Sequence, residues 1–141
     1  MTIIESVKKF ILRCPYLDEL KNVNVDFLSD KVNAYSIEEL PTDTVRKKYL
    51  DGTKECQFVF ALMARFTYNE EIKNNIENSG FFEDFQNWLD ECTENELYPD
   101  MPDGMTPFEI KALTNGYLMG VGNNSRDAVY QIQCRLLYDK E

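Results

Sequence analysis

The sequence predicts an α+β fold: a mainly antiparallel four-stranded sheet with helices packed on one face, in the order helix, hairpin, helix, hairpin. Of the 141 residues, 43% are hydrophobic and 13% are aromatic, which is enough for one packed core. Two regions repeat apolar residues with helical spacing, and four others alternate or run apolar as strands do. We therefore expect a single domain over residues 1–141.

The first helix is predicted at the N-terminus, where Thr2 and Glu5 have the spacing of a capping box. Apolar residues then recur on one face until Pro15 ends the run. After a connector that includes a short extended stretch, residues 34–40 are predicted as the first strand, and Pro41 closes it.

Residues 42–54 are predicted as a long basic hairpin loop. About 13 residues are more than a hairpin needs, and such loops are usually functional or disordered. We expect this one to become ordered against a neighbouring subunit or an adjoining protein. A merely solvated loop is the alternative. The candidate interface residues of the loop are Arg46, Lys47, Lys48 and Tyr49.

The second strand, residues 55–67, is apolar on both faces in its middle and is predicted to be central.

The second helical region is predicted to begin after Asn69 and to be interrupted at residues 78–80. A further helix over residues 81–93 repeats apolar side chains on one face, and this stripe is predicted to be core. The stripe comprises Phe82, Phe85, Trp88, Leu89 and Cys92.

A third strand over residues 108–119 and a fourth that alternates from Tyr130 to Tyr138 complete the sheet.

The net charge of −10 is concentrated in residues 69–103, which hold 11 acidic residues and one basic residue. Such a chain repels phosphate backbones, so direct sequence-specific binding of nucleic acid is not expected. The acidic stretch is either a solvated helix face or a surface turned toward a channel or a basic partner. The candidate acidic belt consists of Glu70, Glu71, Glu77, Glu83, Asp84, Asp90 and Glu91.

The sequence predicts no catalytic, cofactor-binding or metal site. Histidine is absent, and the chain has no glycine-rich phosphate loop, no calcium-loop spacing and no CxxC pair. We therefore expect a protein that is not an enzyme. The four cysteines, at positions 14, 56, 92 and 134, are expected to be buried and reduced in a cytosolic protein. No signal peptide and no membrane span is expected.

The polar side of the fourth strand carries Gln131, Gln133 and Arg135. Plain exposure explains these residues, because antiparallel sheets commonly leave one face wet. A face that hydrogen-bonds to another subunit explains them as well. They are therefore candidate interface residues.

Several segments between residues 25 and 138 resemble a known family. They include Tyr35-Ser-Ile-Glu, Lys48-Tyr-Leu-Asp-Gly52, Gln57-Phe-Val-Phe-Ala61, Asn75-Ile-Glu-Asn-Ser-Gly-Phe-Phe-Glu83 and Tyr130-Gln-Ile-Gln-Cys-Arg-Leu136. These resemble small proteins encoded among the head-to-tail genes of phages of low-GC Gram-positive bacteria, usually labelled minor capsid or tail proteins. In its order of elements that family is similar to the tail-terminator proteins of lambda-type phages.

The resemblance implies a structural protein of the virion, made in the host cytoplasm and located where the head meets the tail. Its expected partners are further copies of itself in a hexameric ring, the tail-tube protein and the head-tail connector protein. Two alternatives stay open: a head-side adaptor ring beneath the portal, and a small acidic protein that inhibits a host enzyme or mimics DNA.

Overall fold

The computed structural model describes residues 2–17, 22–28, 34–67, 72–121 and 127–141. Within these ranges the chain forms two helices and seven strands. Their order is α1 (Ile3–Ile11), β1 (Asn22–Val25), β2 (Ala34–Glu39), β3 (Val45–Lys48), β4 (Lys54–Thr67), α2 (Ile72–Glu94), β5 (Met105–Ala112), β6 (Tyr117–Val121) and β7 (Asp127–Lys140).

All seven strands belong to one mixed sheet. Its path is β1-β2-β4-β7-β5, with β3 also paired to β4 and β6 also paired to β7. The β1–β2 pair is parallel, and the other pairs are antiparallel. The two longest strands, β4 and β7, pair along all 14 residues of each, which confirms that β4 is central.

The predicted four-stranded sheet in helix-hairpin order is therefore wrong. The sheet is mixed and has seven strands. β1 adds a parallel strand, β3 forms within the predicted loop, and the predicted third strand is divided into β5 and β6. Hydrophobic alternation predicts which residues extend, but it does not show where the backbone leaves the ladder and returns to it.

The first break in strand pairing lies between β2 and β3, which both pair with the same edge of β4. The Leu40 amide still donates to the Val59 carbonyl, and the Gln57 amide donates to the Thr44 carbonyl. Between these bonds the Gln57 side-chain amide donates to Thr42 Oγ1 at 3.0 Å and to the Asp43 carbonyl at 2.8 Å. Part of the predicted basic loop is thus strand β3, which pairs with residues 54–56.

The second break divides the predicted third strand into β5 and β6. The Leu113 and Thr114 amides both donate to the Gln133 carbonyl, and the Gln133 amide donates to Thr114 Oγ1 at 3.1 Å. One residue of β7 therefore holds the β5 end of the break.

The helices cover one side of the sheet. In α1 the Glu5 amide donates to Thr2 Oγ1 at 3.3 Å, which confirms the predicted N-cap. Its buried Phe10 lies 5.1 Å from Trp88 of α2, measured between ring centroids. Both helices therefore share one hydrophobic cluster with the inward side chains of β4 and β7.

Helix α2 is continuous through residues 78–80, so the predicted interruption is wrong. A glycine within a helix costs about 1 kcal/mol, which packing can offset. Here the helix continues directly into Phe81 and Phe82, whose rings lie 5.2 Å and 6.1 Å from the Phe66 ring. Tyr130 completes this aromatic cluster at 5.8 Å from Phe82. The predicted core stripe of α2 is confirmed.

Candidate subunit interface

Strand β3 carries the basic side chains that the sequence singled out. All four of its residues are exposed, although they form a strand and not the predicted loop. Arg46 is engaged within the chain, because its Nη1 lies 3.2 Å from Glu55 Oε2 as an ion pair. Lys47 and Lys48 take part in no ion pair among the described residues and are the cations that β3 offers to a neighbour.

Tyr49 begins the tight turn from β3 to β4. Its amide donates to the Thr53 carbonyl, and its carbonyl accepts from the Gly52 amide. Asp51 holds the turn by accepting from both the amide and the hydroxyl of Thr53, at 2.9 Å and 2.7 Å. These two bonds lower the pKa of the Asp51 carboxyl. Tyr49 is thus positioned by a rigid turn and leaves 45% of its surface exposed.

The three candidate residues of β7 lie on the sheet face opposite the helices and are already paired within the chain. Gln131 and Gln133 both donate through Nε2 to the Tyr117 hydroxyl, at 2.9 Å and 3.2 Å. Arg135 Nη2 lies 3.3 Å from Glu109 Oε1, while its Nε is buried without a hydrogen bond. Neither plain exposure nor contact with a partner is needed to account for these residues.

The acidic belt is only partly described. Glu83, Asp84, Asp90 and Glu91 are exposed on α2 and take part in none of the ion pairs found in the described ranges. Glu70 and Glu71 lie outside the described residues. Glu77 is within α2, but its side chain is not described. The four described carboxylates therefore face solvent on the helical side of the sheet.

Strand β6 is a candidate surface that sequence reasoning missed. All five of its residues are exposed, including Tyr117, Leu118, Met119 and Val121 at 37%, 47%, 51% and 41%. Residues 112–125 contain no charged residue, in a chain of which 28% is charged. That uncharged run is the signal that could have identified β6.

One cleft of the described part of the chain, of about 620 Å³, lies between the α1 N-terminus and the break after β2. Its charged side chains are Asp26, Glu39 and Lys140, and it is also lined by Tyr138, whose pKa is raised by burial. No group of three potential metal ligands occurs in the searched part of the chain.

All four cysteines are buried and none forms a disulfide, as the sequence predicted. Burial raises the pKa of the Cys134 thiol far above its ordinary value. A protonated, inaccessible thiol is a poor nucleophile, so these side chains contribute packing.

No protein-family model matches this chain, and no curated protein matches it. Of the two described helices, neither is both long and apolar enough to cross a membrane.

Proposed function

We propose that this chain is a structural virion protein, a tail terminator that forms a ring, caps the phage tail tube and joins it to the head connector. The resemblance of residues 25–138 to small head-to-tail proteins of Gram-positive phages supports this role.

One structural observation carries the proposal: two fully exposed strands lie on opposite edges of one sheet. β3 pairs with β4 on the edge away from β7, whereas β6 pairs with β7 on the edge away from β4. Every residue of both strands is exposed. A ring of identical subunits needs two different surfaces, one on each side of the subunit. The sheet supplies such a pair.

The charge distribution supports the same role. In a ring of six subunits, the acidic side chains of α2 recur six times and form a belt. Carboxylates repel the phosphates of DNA, so a belt that faces the channel prevents the passing DNA from adhering.

The proposal is tested with purified protein and tail tubes assembled from the tail-tube protein encoded with it. Native mass spectrometry is expected to detect a closed oligomer, and negative-stain microscopy is expected to show rings at tube ends. Tubes incubated with buffer are the control, and they should lack terminal rings. Rings that bind the purified portal and not the tube would assign the head-side adaptor role instead. A monomer that binds neither would overturn the proposal.

A further inference from the structure

The β6 edge of the sheet is apolar, and among the described residues no strand pairs with its outer side. Four of the twelve large hydrophobic residues exposed in the described ranges lie on β6. A hydrophobic patch rimmed by polar residues usually marks an interaction site. The four residues are Tyr117, Leu118, Met119 and Val121.

Open strand edges are normally protected from pairing by lysine, proline or a bulge. β3 has two lysines, one arginine and a bulge between Val45 and Lys47. β6 has a bulge between Leu118 and Gly120 but no charge and no proline. The two exposed strands are therefore different kinds of edge. β3 disfavours pairing with its own copies through like charge, whereas β6 can accept a strand of either charge.

An acidic side chain lies beside the start of β6. Glu83 lines a cleft of about 220 Å³ together with Asn115 and Gly116, which directly precede the strand. Glu83 is exposed on α2, on the helical side of the sheet. A strand added along β6 would therefore pass close to a carboxylate on that side.

Strand β3 has the matching charge on the matching face. Lys48 is paired with Lys54, and alternation places Lys54 on the same sheet face as buried Cys56, which is the helical face. Lys47 is paired with Glu55 and lies on the opposite face. When sheets join edge to edge around a ring, their helical faces stay on one side. Lys48 of one copy then faces the side on which Glu83 of the next copy lies.

We propose that β6 of one copy pairs edge to edge with β3 of the next copy, so that Lys48 meets Glu83 across the joint. The proposal rests on the proposed ring and names its subunit contact. The two strands are of similar length, four and five residues, and lie on opposite sides of the subunit. The joint covers the apolar edge and pairs a cation with a carboxylate in a chain of net charge −10.

The first test blocks the apolar edge. Leu118→Lys places a charge on β6 at a side chain that is already 47% exposed, so folding should be preserved. Leu97→Lys is the matched control, because Leu97 is 55% exposed and lies in the loop after α2. Analytical ultracentrifugation is expected to show self-association weakened about tenfold or more by Leu118→Lys and unchanged by Leu97→Lys.

The second test exchanges the charges. Lys48→Glu and Glu83→Lys should each weaken the ring, and the double variant should restore it, because the pair is re-formed in reverse. Rings in the Leu118→Lys variant that still cap tubes would overturn the joint while leaving the proposed function intact. Rings that depend on both strands but bind no tube would overturn the function and leave the joint.

A symmetric dimer that is abolished by Leu118→Lys and unaffected by Lys48→Glu would also overturn the proposal. In that case β6 pairs with β6 of a second copy. Circular dichroism of every variant checks that loss of assembly is not loss of folding. Wild-type protein that stays monomeric at all concentrations would overturn the joint and the ring together.

Discussion

Gly116 lies where the break between β5 and β6 contacts α2. A Cβ at this position would overlap the ring and Cβ of Phe82, which is itself buried at 3% exposure. Gly116→Ala is therefore expected to destabilise the fold by about 1–3 kcal/mol, because the helix or the connection must shift. Gly120→Ala is the matched control, since nothing lies within 4 Å of its added Cβ. Thermal unfolding of both variants measures the difference, and equal melting temperatures would contradict this prediction.

Cys134 makes the stability depend on alkaline pH. Burial raises the pKa of its thiol above the ordinary value of 9.0, whereas the unfolded chain ionises near that value. The stabilisation by the neutral thiol is thus complete below about pH 9 and is lost as pH rises further. Urea unfolding between pH 7 and 10.5 is expected to show equal pH dependence in wild type and Cys134→Ala up to about pH 9 and, above it, a steeper loss of stability in wild type that approaches about 1.4 kcal/mol per pH unit. Equal slopes would mean that the thiol is hydrated when folded.

At the scale of elements, one hydroxyl adds side-chain hydrogen bonds to the backbone pairing of β6 with β7. Tyr117 accepts from both Gln131 and Gln133, so its oxygen joins the exposed strand to β7. Tyr117→Phe is expected to cost about 1 kcal/mol, because water can replace only part of these bonds. Tyr16→Phe is the control, since Tyr16 is 49% exposed and contributes no side-chain hydrogen bond in the described ranges. Urea unfolding compares the two, and an equal effect would show that the two amides are satisfied by solvent.

Sequence patterns predict the regular elements of this fold well and its breaks poorly. The cap at Thr2 and the alternation of β4 and β7 are local signals, so they were sufficient. The break after β2 depends on the side chain of Gln57, and the break after β5 depends on the backbone of Gln133. Both anchors are distant along the chain from the breaks they hold, and no local pattern reveals such contacts.

For the candidate interface, too, sequence patterns identified some residues correctly and missed others. The sequence identified Lys47 and Lys48 because they stand out in an acidic chain, and the structure leaves both exposed. It also selected Gln131, Gln133 and Arg135, whose side chains the fold pairs with Tyr117 and Glu109. It missed β6, because an exposed apolar edge and a buried strand have the same sequence pattern. Only the sheet order shows that β6 lies at an open edge.

At the scale of the whole molecule, assembly depends on which surface carries the exposed lysines of β3. Reversing Lys47 and Lys48 to Glu is expected to abolish ring formation, because β3 then carries the sign of the acidic face it approaches. Arg46 is left unchanged, since it is paired with Glu55 at 3.2 Å and its reversal would place two carboxylates together. Stability of the monomer should fall by about 0.2–1 kcal/mol, because the reversed side chain at position 47 lies opposite Glu55.

Reversal of Lys8 and Lys9 to Glu is the matched control for this experiment, because it changes the net charge by the same amount. Both lysines lie in the last turn of α1, where cations favour the helix dipole, so this control should lose about 0.3–1 kcal/mol per residue. It is nevertheless expected to form rings, since α1 is not part of the joint. Native mass spectrometry compares the two variants at equal concentration and salt. Loss of rings in both variants would show that assembly depends on net charge and not on β3. If neither variant loses its rings, β3 is not part of the joint.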